Sequence, residues 1–353
     1  LSEYGYEQLV YFYDKPTGLK AITCIHNTVL GPSLGGTRFW NYATEEEATT
    51  DVLRLARGMT YKSACAGLNL GGGKSVVIGD PDELKNDIVR REAFFRAFGR
   101  FIEGLGGRYI TAEDVNTTTA DMAYINMETD YVCGLENKSG NPSPFTALGV
   151  YKAMRAAGEA AFGKEGGLKK RKVAVQGVGE VGKNLCKLLK ADGAELYITD
   201  INAEKVEKLA KELGATAVDK DKIFDVDCDI FAPCALGGVI NDETLGRLKC
   251  KVITGAANNV LLDPEKHGKA IHDKGIIYAP DYVANAGGII NVYEELHGYN
   301  EDNVRRSIEH IYDLTAEIIR TSQEKNIPTG QVADAMAEAR INAIRNVNSI
   351  YLG

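Results

Sequence analysis

Lys172–Asp200 reads KVAVQGVGEVGKNLCKLLKADGAELYITD. Lys172–Gln176 is a short apolar run of strand length. Gly177-Val178-Gly179-Glu180-Val181-Gly182 follows it, and Val181–Lys190 then spaces its apolar residues as a helix does. In this G-x-G-x-x-G pattern the first glycine permits a tight turn. The second lets a pyrophosphate approach the backbone, and the third lets helix and strand pack closely. The helix start adds free N–H groups and a partial positive charge. A second run, Leu196–Thr199, ends at Asp200, 18 residues past Gly182. That is close to the spacing of an acid that accepts hydrogen bonds from ribose hydroxyls. A carboxylate there repels a 2′-phosphate, so NAD is favoured over NADP, with Ile201 beside it. The competing reading is an ordinary βα turn in which Asp200 caps a helix. The surrounding strand–turn–helix–strand context favours the dinucleotide.

Downstream, Ile230–Ala232, Val252–Thr254 and Ile276–Tyr278 are further short apolar runs with helical stretches between them. Strands alternating with helices predict parallel βαβ units and a doubly wound sheet. Ligands of such sheets bind beyond the carboxyl ends of the strands. Two loops sit there: Ala232-Pro233-Cys234-Ala235 and Gly255-Ala256-Ala257-Asn258-Asn259. The amides of Asn258 and Asn259 are within reach of a nicotinamide or its ribose, although loop polarity alone accounts equally well for either one.

Upstream, residues 134–144 (GLENKSGNPSP) are rich in turn formers and divide the chain. Ser143 then reads as an N-cap with Pro144 at the first helical position, opening a long helix to Phe162. The first half mixes strands at roughly 9–13, 20–26, 74–78 and 107–111 with helices near 45–58 and 88–104. Residues 302–350 read as helical throughout and are expected to return to the first domain. The fold class is therefore α/β with two domains. Residues 1–142, completed by helices at about 326–353, form a mixed α/β substrate-binding and oligomerisation domain. Residues 143–325 form a Rossmann-type dinucleotide-binding domain. A chain of 353 residues is long enough for both.

The formal net charge of −8 and the lack of any basic tract argue against nucleic-acid binding. No apolar run reaches membrane-spanning length, and the first residues show no export signal. Seven cysteines, at 24, 65, 133, 186, 228, 234 and 250, form no C-x-x-C pair, and the five histidines are scattered. Reduced thiols in a cytoplasmic protein without a metal site are expected.

Three further residues suggest chemistry. Lys74 follows three glycines in LNLGGGKSVVIGDP, an unusual setting for a surface lysine. Lys62 lies among small and apolar residues in MTYKSACAGL, and Asp114 ends a strand in ITAEDVNTTTADM. Singly, each has a dull explanation. Together they can deaminate an amino acid. Removal of hydride from the α-carbon leaves an iminium, which water must attack with help from a base. An ordinary lysine is protonated and useless for this. Two ammonium groups about 6 Å apart, at an effective dielectric near 20, repel by roughly 3 kcal/mol. That lowers one pKa by about two units, and burial lowers it further. One lysine then holds a carboxylate while the other acts as base, and an aspartate relays protons.

At these residues the chain resembles the glutamate/leucine/phenylalanine/valine dehydrogenase family. L68-x-x-GGGK74-x-V-x-x-x-D80-P81 is similar to the family signature. LGPSLGGTR, LARGMTYK, GRYITAEDV, DIFAPCALGG, GAANN and YAPDYVANAGG follow the family along nearly the whole chain. The resemblance implies an active site in a cleft between two domains, with NAD as cofactor. It implies Lys74 as the base that activates water, Lys62 as holder of the substrate carboxylate and Asp114 as proton-transfer partner. It also implies Asn285 at substrate or nicotinamide, Thr146 at the carboxamide, and a homo-oligomer, octamer or dimer, assembled through the first domain. The matching substrate pocket is Leu34, with Gly35 beside it, Ala112, Cys133, Ile289 and Val292. Glutamate-specific members carry a lysine near the position of Leu34, and here a side-chain carboxylate would be desolvated without compensation. Cys133 and Ile289 replace Thr and Val of leucine-specific members, and GAANN is closer to valine, phenylalanine and tryptophan members. The expected activity is oxidative deamination of branched-chain L-amino acids to 2-oxo acids. A phenylalanine or valine enzyme is the alternative within the family, and a non-catalytic NAD-binding sensor the alternative outside it.

Overall fold

The structure, a computed structural model, describes residues 5–136, 138–164 and 167–348. The chain divides into two compact units. Unit 1 comprises Leu1–Asn141, Val292–Asn300 and Ala337–Gly353; unit 2 comprises Pro142–Asn291 and Glu301–Met336. The second crossing thus lies at Ala337 rather than near residue 326, and a short segment, Val292–Asn300, joins unit 1 in addition.

Unit 1 is built on a five-stranded sheet in the order β1-β2-β4-β3-β5. The strands are β1 (Gln8–Asp14), β2 (Leu19–Asn27), β3 (Ser33–Trp40), β4 (Gly71–Ile78) and β5 (Tyr109–Glu113). β1, β2 and β4 pair antiparallel, whereas β4, β3 and β5 pair parallel. Side-chain alternation divides the apolar residues between the two faces. Ile22, Cys24 and Val76 pack with Ala48, Val52 and Ala56 of helix α1 (Glu45–Cys65). Ile25, Phe39 and Val77 pack with Phe94, Phe95, Phe98 and Ile125 of helices α2 (Ile88–Glu103) and α3 (Thr119–Asn126). Residue 74 shares the parity of Val76, so Lys74 stands on the α1 face.

Two sequence expectations change here. β4 begins at Gly71, not at Lys74, so the three glycines belong to the strand. β3, hidden by its glycines, fills the gap between β4 and β5.

Unit 2 opens with α4 (Ser143–Phe162) and a six-stranded parallel sheet in the order β11-β10-β9-β6-β7-β8. The strands are β6 (Lys172–Gln176), β7 (Glu195–Thr199), β8 (Thr216–Ala217), β9 (Ile230–Pro233), β10 (Val252–Ile253) and β11 (Ile277–Tyr278). Helices α5 (Glu180–Ala191), α6 (Ala203–Leu213), α7 (Asp242–Arg247) and α8 (Pro264–Asp273) lie along the connections, followed by α9 (Asp281–Ala284). The order reverses between β6 and β9, the crevice where doubly wound sheets bind dinucleotides. Ser143 does not cap α4: the cap is Pro142, without a side-chain hydrogen bond, so Ser143 already lies within the helix.

The remaining helices are α10 (Gly287–Glu295), α11 (Glu301–Lys325) and α12 (Thr329–Asn348). The 302–350 region is thus broken, not continuous. Asn326 takes a left-handed φ of 53°, and Pro328 follows it. Residues 349 and 350 lie outside the described residues. Among the described residues, no helix is long and apolar enough to cross a membrane.

Candidate active site

In unit 1, β4 carries Lys74 into a closely packed interior because glycine lets α1 lie directly on the strand. A Cβ on Gly72 would stand 2.0 Å from the Thr60 nitrogen and 2.3 Å from its hydroxyl oxygen. The glycines before Lys74 are therefore demanded by protein packing as well as by any ligand. Lys74 is only 5% exposed. Its Nζ lies 2.9 Å from Oδ1 of Asp114, one residue past the end of β5. Gly36 in β3 clears the space: a Cβ there would come within 2.8 Å of the Asp114 Cβ. The other carboxylate oxygen, Oδ2, accepts from Arg38 Nε at 3.0 Å. Arg38 Nη1 in turn donates to Asp51 Oδ2 at 2.9 Å, and the Tyr42 hydroxyl donates to the same oxygen at 2.6 Å.

Burial pushes the Lys74 ammonium below the ordinary lysine range. Asp114 opposes that, and Arg38 adds to it. Arg38, a cation the sequence reading did not single out, is thus a neighbour that lowers the proton affinity of Lys74. For Asp114, burial favours the neutral acid, but Lys74 and then Arg38 outweigh it and hold the carboxyl well below its usual range. The site therefore joins an amine poorly disposed to carry its proton to a carboxylate that stays ionised.

Lys62 stands in the last turn of α1, partly buried. Leu34, Gly35, Ala112 and Cys133 are all buried, and the strand register places them close together. Leu34 pairs with Ile110 and Gly36 with Ala112, while the Cys133 amide donates to the Thr111 carbonyl at 2.8 Å. Burial keeps the Cys133 thiol neutral, pushed up to about 12. The loop after Cys133 is held by Glu295, whose side chain is 1% exposed. Its Oε2 accepts from the amides of Gly134 at 3.0 Å and Ser139 at 3.3 Å, and from the Ser139 hydroxyl. Val292, one turn earlier in α10, is buried.

In unit 2 the glycine loop has the shape a dinucleotide needs. Gly177 has φ +99°, and a Cβ there would stand 2.9 Å from atoms of Cys234 and Ala235. A Cβ on Gly182 would stand 2.0 Å from the Gly177 carbonyl oxygen, whereas one on Gly179 would meet nothing within 4 Å. Tight turn, close helix packing and open ground for a phosphate thus fall on the first, third and second glycines. Gly179 caps α5 without a side-chain hydrogen bond, followed by Glu180 and Val181 in its first turn. Asp200 accepts the Val178 amide at 2.8 Å and the Asn202 amide at 3.0 Å. The cap of the following helix is Asn202 rather than Asp200. Ile201 is 93% exposed beside it.

At the neighbouring strand ends, Asn285 donates to the Ala256 carbonyl at 3.1 Å and to Asn258 Oδ1 at 2.8 Å. Its own Oδ1 is buried without a hydrogen-bond partner, as are Gln176 Oε1 and Thr254 Oγ1. Their unused hydrogen-bonding capacity would fit a carboxamide or a ribose. Ala257 is buried, and Asn259 uses a left-handed φ of 51° to turn the loop. The Thr146 hydroxyl donates to the Pro142 carbonyl at 3.0 Å, which leaves its oxygen able to accept. Ile289 is buried in α10.

Residue-by-residue reading of the sequence missed Arg38, Asp51, Tyr42 and Glu295. The signal for Arg38 was present: an arginine inside the apolar run SLGGTRFW needs a buried anionic partner. Nothing local marks Glu295, whose partners lie 156 and 161 positions away.

Two family models match the chain. Glu/Leu/Phe/Val dehydrogenase, dimerisation domain, covers residues 7–131, and Glutamate/Leucine/Phenylalanine/Valine dehydrogenase covers residues 194–350. A leucine dehydrogenase of Geobacillus stearothermophilus is 57% identical over 355 aligned positions, spanning 100% of this chain and 95% of that protein. The crystal structure of L-tryptophan dehydrogenase from Nostoc punctiforme superposes with a TM-score of 0.82 at 43% identity, covering 98% of both chains. A hetero-hexameric glutamate dehydrogenase from Thermus thermophilus shares the fold, with a TM-score of 0.80 at 19% identity, covering 98% of this chain and 91% of that one. The chain belongs to the glutamate/leucine/phenylalanine/valine dehydrogenase family.

Proposed function

We propose that the chain oxidatively deaminates branched-chain L-amino acids, leucine foremost with valine and isoleucine, to 2-oxo acids and ammonium, using NAD. The observation that carries this reading is the buried Lys74–Asp114 pair in a unit whose nearby positions Leu34, Ala112 and Cys133 offer an apolar side chain only neutral surroundings. A glutamate side chain would lose its hydration there without a cation to replace it. The 57% identity to a leucine dehydrogenase supports the same choice.

Bound NAD supplies the acceptor for the α-hydride, leaving the substrate as an iminium. Gly177, Gly179, Gly182 and Asp200 would hold its pyrophosphate and ribose, with Val178, Glu180, Val181 and Ile201 lining the turn. Thr146, Cys234, Ala235, Ala257, Asn258, Asn259 and Asn285 would border its nicotinamide half. Lys62 holds the substrate carboxylate as a point charge. Neutral Lys74 takes a proton from the water that attacks the iminium carbon. Asp114, already bonded to Lys74, passes protons to and from the departing amine. Leu34, Gly35, Ala112, Cys133, Ile289 and Val292 receive the side chain.

The chain is also assigned a homo-oligomer built through unit 1. β1 lies at a sheet edge, with Tyr11 and Tyr13 exposed, and the matching family model is described as a dimerisation domain. Seven free cysteines suit a reducing cytoplasm.

The test is NAD reduction, followed by absorbance at alkaline pH, across leucine, valine, isoleucine, phenylalanine, tryptophan and glutamate. The highest kcat/KM is expected on leucine. A preference for phenylalanine or glutamate would refute the substrate assignment, and no reduction with any of them would leave a dinucleotide-binding protein without catalysis.

A further inference from the structure

The carboxylate of Asp114 is shared between two cations. Lys74 Nζ takes one oxygen at 2.9 Å and Arg38 Nε the other at 3.0 Å. Arg38 is itself shared, since its Nη1 reaches Asp51 Oδ2 on α1 at 2.9 Å, and Asp51 is steadied by the Tyr42 hydroxyl at 2.6 Å. The result is a file of alternating charge, Lys74–Asp114–Arg38–Asp51, closed by a phenol and leading from a buried amine to a carboxylate that is 28% exposed.

We propose that Arg38 and Asp51, with Tyr42 holding Asp51, are positioning residues that set the pH range in which Lys74 can serve as base. The inference rests on the reading of Lys74 as the base. Arg38 occupies half of Asp114, which weakens the carboxylate's hold on the Lys74 proton, and its own positive charge disfavours a second cation nearby. Asp51 acts in the opposite sense, partly neutralising Arg38. The separate effects on Lys74 agree: Arg38 lowers its proton affinity and Asp51 raises it.

The other groups around the pair do not substitute for this file. Cys24, in register with Lys74 on β2, and Tyr109 on β5 are kept neutral by burial, each pushed up to about 12. Glu113 is raised by burial, then by Asp121 and Asp114. Lys62, on α1, is assigned to the substrate. Arg38 is suited to its place because a guanidinium can donate to two carboxylates in one geometry, which an ammonium does less well.

The sign of each substitution follows. A base must be neutral, so activity rises with pH as Lys74 loses its proton. Arg38→Gln removes an opposing cation and gives Asp114 wholly to Lys74, so the acidic limb of the profile moves to higher pH. Asp51→Asn leaves Arg38 uncompensated, so the limb moves to lower pH. The experiment is log kcat/KM for leucine with saturating NAD against pH, for wild type, Arg38→Gln, Arg38→Lys, Asp51→Asn and Lys74→Ala. The substrate's own amine titrates identically in all of them.

Opposite displacements are expected, on the order of one pH unit for Arg38→Gln and less for Asp51→Asn. Arg38→Lys is expected to lie nearer wild type. Limbs that coincide with wild type while rates fall, or that move in the same direction, overturn the proposal and leave only a structural role. If Arg38→Gln does not fold, Asp51→Asn decides alone: a downward shift supports the proposal and a coincident limb overturns it. Turnover retained in Lys74→Ala would instead show that the base assignment beneath the proposal is wrong.

Discussion

Gly72→Ala tests whether the approach of α1 to β4 builds the site. The added methyl would stand 2.0 Å from the Thr60 nitrogen, 2.3 Å from its hydroxyl oxygen and 2.5 Å from its Cα. Two of these three are backbone atoms, so no rotamer change relieves the clash. Thr60 is fully buried, and its hydroxyl is bonded to His26 Nδ1 at 2.8 Å. Helix and strand must therefore separate by about 1.4 Å to reach ordinary contact. Overpacking of this kind costs about 1–3 kcal/mol, and a backbone clash belongs at the upper end. At roughly 2–4 °C per kcal/mol for a unit of this size, the Tm is expected to fall by about 6–12 °C. Because α1 carries Asp51 and Lys62 while β4 carries Lys74, a shift near 1 Å is expected to cost on the order of 10²-fold in kcat/KM as well. Gly58→Ala is the control. It lies in the same helix with nothing within 4 Å of its new methyl, and gains helix propensity of up to about 1 kcal/mol. Calorimetry and leucine-dependent NAD reduction read both effects. A Gly72→Ala variant that melts and turns over like wild type would show that the approach of α1 to β4 does not build the site.

Glu295→Ala strips the acceptor from two buried amides and a hydroxyl behind Cys133, each worth about 1–3 kcal/mol when left unpaired. A Tm several degrees lower and a KM for leucine raised more than kcat is lowered are expected; an unchanged melting curve would contradict this. Asp200→Ala removes the carboxylate that holds the Val178 and Asn202 amides and that is proposed to bind the ribose. Its KM for NAD is expected to rise on the order of tenfold, with weaker discrimination against NADP and an unchanged KM for leucine at saturating NAD. Selectivity equal to wild type would remove Asp200 from cofactor recognition.

The doubly wound sheet was legible because its signals are local. A strand of five residues, a glycine turn, an amphipathic helix and a second strand follow one another within 29 positions, and the strand order then follows the common doubly wound arrangement. The sheet of unit 1 was harder to read. β3 carries Gly35, Gly36 and Arg38, residues that count against a strand locally and that only the packing of β4 and Asp114 justifies. Lys74 stood out because a lysine after three glycines is unusual, and the structure pairs it with Asp114, which the sequence reading had grouped with it. Arg38 carried a signal of its own, but its partner could not be read, because Arg38 meets Asp114 across 76 positions of chain, through strand register. The break at Asn326–Pro328 was readable in principle, since Asn and Pro both end helices, but the apolar spacing on either side obscured it.

Deamination by this site requires Lys74 to act as a neutral amine. Steady-state turnover of Lys74→Ala with leucine and NAD, beside NADH binding followed by fluorescence, tests it most directly. Turnover is expected to fall by at least about 10²-fold with NADH affinity unchanged. Turnover within a few-fold of wild type would show that Lys74 is not the base.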